Sequence, residues 1–254
     1  MIYLKLLGGI LYVLKHNPEN ITASRFPILD EWDVNDKIKA TLIDLDDEIY
    51  NSDLIFVVGH LKCCLYDIVR QQQVDEFIEF ILDAKTPGGE ITLSEDTPII
   101  FLGEMNLVGD SQQYYTIIEG DIQDTDIYGE GGFPDWDDSE LADLVCRQTD
   151  KRMAYTWRND NSEYPSGRLD FIFYTNSVMS PAKSFTVQTK IMSNERLENY
   201  GLLWNDTKTA TDHFPVVADF YLSFNVGCNI GGDINNDGDV DVVDVVQLVD
   251  LILN

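Results

Sequence analysis

The chain has 254 residues, 44% of them hydrophobic, enough for a packed core, which excludes a disordered polymer and a disulfide-stapled mini-protein. Lys and Arg number 17 against 45 Asp and Glu, a formal net charge of -28, so bulk charge repels a nucleic-acid backbone. A phosphate-bearing substrate therefore has to be held locally, a metal being the simplest means.

No apolar run reaches the roughly 18 to 20 residues of a membrane span. Cys63, Cys64, Cys146 and Cys228 lack zinc-ligand spacing, and adjacent cysteines such as Cys63 and Cys64 rarely pair. One bridge between distant cysteines, or four thiols, both fit.

In chain order, the opening MIYLKLLGGILYVLK brackets a short apolar stretch between Lys5 and Lys15 with no small-x-small cleavage site close behind, and reads as strand rather than leader. From about residue 20 to residue 222, short apolar runs alternate with Gly, Pro, Asn and Asp, an α+β composition. Strands are expected at 54–58, 98–102, 169–174 and 214–222, each rich in β-branched or aromatic residues and continuous enough in apolarity to be covered on both faces. A helix is expected over 71–85, with Val74, Phe77, Ile78 and Ile81 on one face and Asp75, Glu76, Glu79 and Asp83 turned away; Pro87-Gly88-Gly89 stops it. The uncharged stretch 223–232 reads as a linker between a main domain, 1–222, and a small module, 233–254.

That module opens with D-I-N-N-D-G-D-V-D-V-V-D over residues 233–244. Oxygen-bearing side chains at alternate positions around a glycine-assisted turn suit a hard cation that takes six to eight oxygens. Asp233, Asn235, Asp237, Asp241 and Asp244 are the expected Ca2+ ligands, with the carbonyl of Asp239 added. The Asp at the loop's end, followed directly by the apolar VVQLVDLIL, resembles one repeat of a type I dockerin, a module that carries two such repeats. The resemblance implies docking to a cohesin-type scaffold protein and an extracellular location; a helix apolar nearly all round could instead pack on the main domain.

Four strings of the main domain place polar groups at strand ends: IFVVGH at His60, IIFLGEMN at Glu104 and Asn106, RLDFIFY at Asp170, and TDHFPVVADF at Asp212 and His213. If the strands pair antiparallel, these clusters collect on one edge of the sheet. Two imidazoles, several carboxylates and an amide facing one cleft suit metal-assisted hydrolysis of a phosphate ester. No Gly-x-Ser-x-Gly elbow supports a serine nucleophile.

The order His, Gly-Glu-x-Asn, Arg-x-Asp, Thr-Asp-His, with SRFPI at 24–28, resembles the endonuclease/exonuclease/phosphatase superfamily over roughly residues 15–222. The resemblance implies an α+β fold, a two-layered β-sandwich flanked by helices, and a Mg2+ or Mn2+ dependent phosphodiesterase, nuclease or phosphatase activity. By it, His60 contacts phosphate, Asn106 orients the nucleophilic water or phosphate with Asp170 as partner, Asp212 is the metal-linked aspartate and His213 the general base.

Two departures stand out. Glu104 occupies the place of the family's Asp, a methylene longer, and is expected to ligate the metal in a different geometry. The family's two opening strands, with an Asn and the principal metal-binding Glu, have no counterpart before Ile21, so the chain reads as beginning inside the domain. The alternative is a binding or scaffold-docked component that has lost hydrolysis, with an extracellular polysaccharide-degrading assembly as its setting.

Overall fold

The structure, a computed structural model, describes residues 2–6, 9–16 and 19–222. The expected calcium residues Asp233, Asn235, Asp237, Asp239, Asp241 and Asp244 lie outside the described residues. One compact unit comprises the chain up to Leu45 together with Ser52–Leu222, and Asp46–Asn51 belongs to another. In the latter, the Asp46 carbonyl accepts from the N–H groups of Ile49 and Tyr50, each at 2.8 Å.

The opening residues form an antiparallel sheet of β1 (Ile2–Leu6), β2 (Gly9–Lys15) and β3 (Ile21–Ser24). The central sheet contains β4 (Ile28–Asp33), β5 (Ile38–Ile43), β6 (Leu54–His60), β7 (Ile99–Glu104), β8 (Ala142–Asp143) and β9 (Asp170–Tyr174), in the order β4-β5-β6-β7-β9-β8. A third sheet pairs β10 (Met179–Thr186) with β11 (Val216–Leu222). The helices are α1 (Asp67–Lys85), α2 (Gln112–Glu119), α3 (Thr125–Tyr128), α4 (Asn194–Tyr200) and α5 (Asp206–Ala210).

Each expected strand is present, with ends moved by one or two residues. The direction of one pairing differs from expectation. Strands β6 and β7 run parallel, with His60 beside Glu104, while β7 and β9 are antiparallel, with Glu104 beside Asp170. The reason is the crossover: α1 carries the chain back along the sheet before β7 begins, which a parallel pair requires. Both β6 and β7 end in polar residues, so only a parallel pairing brings those two ends to one edge.

Helix α1 begins a turn before the expected start, at Asp67, and three polar residues, Arg70, Gln73 and Asp75, lie on its buried side. Arg70 is fully buried, and Asp75 is 1% exposed where periodicity turned it to solvent. The Asp75 carboxylate accepts from Gln71 Nε2 at 2.8 Å and from the N–H groups of Gln123 and Asp124 at 3.2 and 3.1 Å. These bonds satisfy two backbone donors of the loop before α3, and that satisfaction outweighs the pull of water on a carboxylate.

The core has two compartments, one on each face of the central sheet. On one, Val74, Phe77, Ile78 and Ile81 of α1 meet Ile55, Val57, Ile99 and Phe101. Phe77 and Phe101 stack at 4.1 Å between centroids, and burying each such ring stabilises the fold by about 1.5–3 kcal/mol. On the other face, Ile100, Ile172 and Tyr174 pack against Met179, Val216, Ala218 and Phe220, so the central sheet and β10–β11 form the sandwich. Strands β7 and β9 are thereby covered on both faces, as their continuous apolarity implies.

Gly103 fixes the exit of β7. Its φ is +134°, and a Cβ there would lie 2.0 Å from the Gly59 carbonyl oxygen. Only glycine permits this bend, which turns Glu104 out at the sheet edge beside His60.

Candidate active site

The C-terminal ends of β6 and β7, the start of β9 and the approach to β11 meet at one edge, bringing together His60, Glu104, Asp170 and His213. His213 Nδ1 lies 2.9 Å from Asp170 Oδ2, and its Nε2 lies 3.6 Å from Glu104 Oε2. The same Glu104 oxygen is 3.5 Å from His60 Nε2. The order is thus Asp170, His213, Glu104, His60, with one carboxylate oxygen between two imidazoles. The other nitrogen of His60, Nδ1, is 3.7 Å from Glu19 Oε2, and Glu19 is paired with Lys37. The Lys37 ammonium, hydrogen bonded to Glu19, holds its carboxyl below the usual range.

His213 is biased toward its protonated form. The hydrogen bond to Asp170 is the largest cause; burial opposes it, and the charges of Asp170, Glu104 and Asp212 add to it. Three carboxylates therefore act on one imidazole, at a site whose side chains are about one quarter exposed (His213 26%, Glu104 25%, Asp170 20%).

Asp212 occupies the exposed approach to β11. Its Oδ2 accepts from Trp157 Nε1 at 3.1 Å, and its carbonyl accepts from the Arg158 N–H at 3.0 Å. Asn106 is 4% exposed and has φ +49°. Its amide donates to the Leu61 carbonyl at 3.0 Å, bracing the chain just past His60 against the chain just past Glu104. Buried Arg70 fastens the same two segments, donating to the carbonyls of Lys62 and Cys64 at 2.8 Å each and of Val108 at 3.0 Å, and pairing with Asp67.

Sequence reasoning missed Thr156 and the positioning role of Trp157. Thr156 is 1% exposed; its hydroxyl donates to Asp170 Oδ2 at 2.6 Å and accepts from the N–H groups of Leu169 and Asp170 at 3.1 and 3.0 Å. The hydroxyl sets the orientation of Asp170, and the Trp157 indole sets that of Asp212. AYTWR reads as an aromatic core or rim segment, and no spacing pattern distinguishes a threonine that braces a carboxylate from one that simply packs. Glu19 was missed because it lies outside the four strand-end strings and no pattern around it marks an approach to His60.

Among the described residues no three His, Cys, Asp or Glu side chains are arranged to hold a metal ion by themselves. The donor chemistry still suits a hard cation: the cleft is rich in carboxylates, and Mg2+ typically binds through one or two carboxylates, completing its shell with water and substrate phosphate. Cys63, Cys64 and Cys146 are free thiols. No helix among the described residues is long and apolar enough to cross a membrane.

No protein-family model and no curated protein matches the chain. Solved structures do. ANGEL2, a 2',3'-cyclic phosphatase in complex with adenosine-2',3'-vanadate, is similar with a TM-score of 0.51 at 16% identity, over 83% of this chain and 72% of that one. TDP2 of D. rerio, complexed with a single strand DNA product, matches with a TM-score of 0.46 at 15% identity over 83% and 77% of the two chains. The human Nocturnin catalytic domain with bound sulfate gives 0.42 at 14% over 78% and 60%. The likeness to ANGEL2 is one of architecture: the chain has an endonuclease/exonuclease/phosphatase-like fold, an α+β sandwich with flanking helices.

Proposed function

We propose that the protein is a metal-dependent phosphodiester hydrolase of the nuclease and phosphatase kind, with its reaction centre at His213. The observation that carries this reading is the 2.9 Å pair of His213 Nδ1 and Asp170 Oδ2 at the sheet edge where Glu104 and His60 also end.

With Nδ1 held by Asp170, His213 presents Nε2 to the cleft as the proton acceptor for an attacking water. Asp170 fixes the ring's orientation and stabilises the imidazolium that forms. His60 contacts the phosphoryl oxygens, and Asn106 braces the two loops on which the phosphate rests. Glu104 and Asp212 would hold a Mg2+ or Mn2+ ion; such an ion neutralises developing charge on phosphoryl oxygen and lowers the pKa of bound water. Glu104, a methylene longer than aspartate, reaches between both imidazoles.

The reading extends to the C-terminal sequence. Asp233, Asn235, Asp237, Asp239, Asp241 and Asp244 would bind Ca2+ in a dockerin-like loop that docks the chain on a cohesin-type scaffold outside the cell. Calcium-dependent retention on an immobilised cohesin, lost in Asp233→Ala, tests that part.

The test of the activity is hydrolysis of a chromogenic phosphodiester and of plasmid DNA by this chain across magnesium, manganese and calcium, with His213→Ala beside it. Metal-dependent turnover lost in the variant is the expected result. No turnover with any of the three ions refutes the proposal and favours the non-hydrolytic binding component.

A further inference from the structure

A cavity of about 260 Å³ lies beside the His213 centre, with Asp212 in its wall and buried Phe214 lining it. In a chain of net charge -28, three of its cations converge there: Arg158, Lys190 and Lys208. They surround Asp160, with Arg158 Nε 2.5 Å from Oδ1, and Lys190 and Lys208 Nζ 3.7 and 3.5 Å from Oδ2. The two ammonium groups sit beyond the roughly 2.7–3.2 Å reach of a hydrogen bond, so Asp160 holds them together without spending their donors. Arg158, by contrast, donates to Asp160 and holds that carboxyl below its usual range.

We infer that this cavity is a second phosphate subsite of the same active site, so that the substrate carries a phosphate monoester group in addition to the ester cleaved at His213. The inference builds on the hydrolase reading and narrows it to bis-phosphorylated small molecules or nucleotides.

Three considerations favour a phosphate. A dianion with three terminal oxygens matches several cations that still have donors to give, better than a single carboxylate does. The volume lies just under the roughly 300 Å³ at which small-molecule pockets begin, which suits one phosphate with its ester arm but not a sugar and base besides. The acidic surface elsewhere repels an anion, so a local cluster of positive charge at the cleft selects where an anionic substrate settles.

The test measures binding by calorimetry to His213→Ala chain in magnesium, using adenosine 3',5'-bisphosphate and adenosine 5'-monophosphate as probes. The bisphosphate is expected to bind about tenfold more tightly, the low end for hydrogen bonds to charged groups because Lys208 is well exposed. That advantage should vanish in Lys190→Gln/Lys208→Gln and persist in Lys151→Gln, a charge control outside the cavity. Equal affinity for the two probes, no measurable binding of the bisphosphate, or an advantage that survives the double substitution overturns the inference. Turnover of the chromogenic phosphodiester by the unsubstituted chain is scored separately. Turnover without the bisphosphate advantage removes the cavity assignment alone, and the advantage without turnover removes the hydrolase reading alone.

Discussion

Replacing Asp170 by Asn tests the His213 pair with little change of shape. Asp170 Oδ2 accepts two hydrogen bonds, from His213 Nδ1 at 2.9 Å and from the Thr156 hydroxyl at 2.6 Å. An Asn that places its amide oxygen at that position keeps both donors satisfied, so the substitution removes the charge and leaves the geometry. A hydrogen bond to a charged partner contributes about 1.5–3 kcal/mol and a neutral one about 0.5–1.5, so about 1–2 kcal/mol of imidazolium stabilisation disappears. If that stabilisation is realised as the proton moves to His213, kcat falls roughly 5- to 30-fold. The pH profile should move as well. His213 must be neutral to accept a proton, so activity falls as pH drops through its raised pKa. Without the Asp170 charge that pKa descends, and the acidic limb of the profile shifts to lower pH. The assay is steady-state hydrolysis of a chromogenic phosphodiester from pH 5 to 9, with circular dichroism and melting to establish that the variant is folded. A folded Asp170→Asn protein with unchanged kcat and an unmoved acidic limb would refute the reasoning.

Other consequences concern stability. Asp75→Ala leaves the Gln123 and Asp124 N–H groups without their acceptor, which should cost about 2–4 kcal/mol and lower the Tm by roughly 5–15 °C in a thermal melt. Gly103→Ala forces a Cβ to within 2.0 Å of the Gly59 oxygen at φ +134°, and at least about 3 kcal/mol of destabilisation in a denaturant titration is expected. His16, with its side chain 2% exposed and its Nε2 3.0 Å from Thr22 Oγ1, has its pKa pulled below 6.5 by burial, with the charge of Lys39 adding to this and Glu31 and Asp33 opposing it. The unfolded chain then binds a proton that the folded chain refuses, so stability is full above pH 6.5 and is lost as pH falls below it. Melts across that range should show a slope that His16→Gln flattens.

Several features of the molecule were legible in the residue order. The apolar runs at 54–58, 98–102, 169–174 and 214–222 become β6, β7, β9 and β11, and the helical period of Val74, Phe77, Ile78 and Ile81 faces the sheet. Periodicity reports which side of an element is apolar, because water exclusion acts on each residue wherever the chain goes. His60, Glu104, Asp170 and His213 were legible too, as polar residues standing where apolar strands stop or start.

The tertiary structure alone decided how those ends meet. Whether β6 and β7 run parallel depends on α1 as a crossover, and the apolar pattern of either strand serves both directions equally. It likewise decided that Arg70 and Asp75 turn inward, since most of their partners are backbone groups, at residues 62, 64, 108, 123 and 124, that carry no side-chain signature. Thr156 bracing Asp170, Glu19 facing His60, and Lys190 and Lys208 drawn to Asp160 are encounters between separate segments. The burial of apolar residues is written residue by residue in the sequence; a hydrogen bond or an ion pair is a relation between two positions, and it exists only once the fold has set the distance between them.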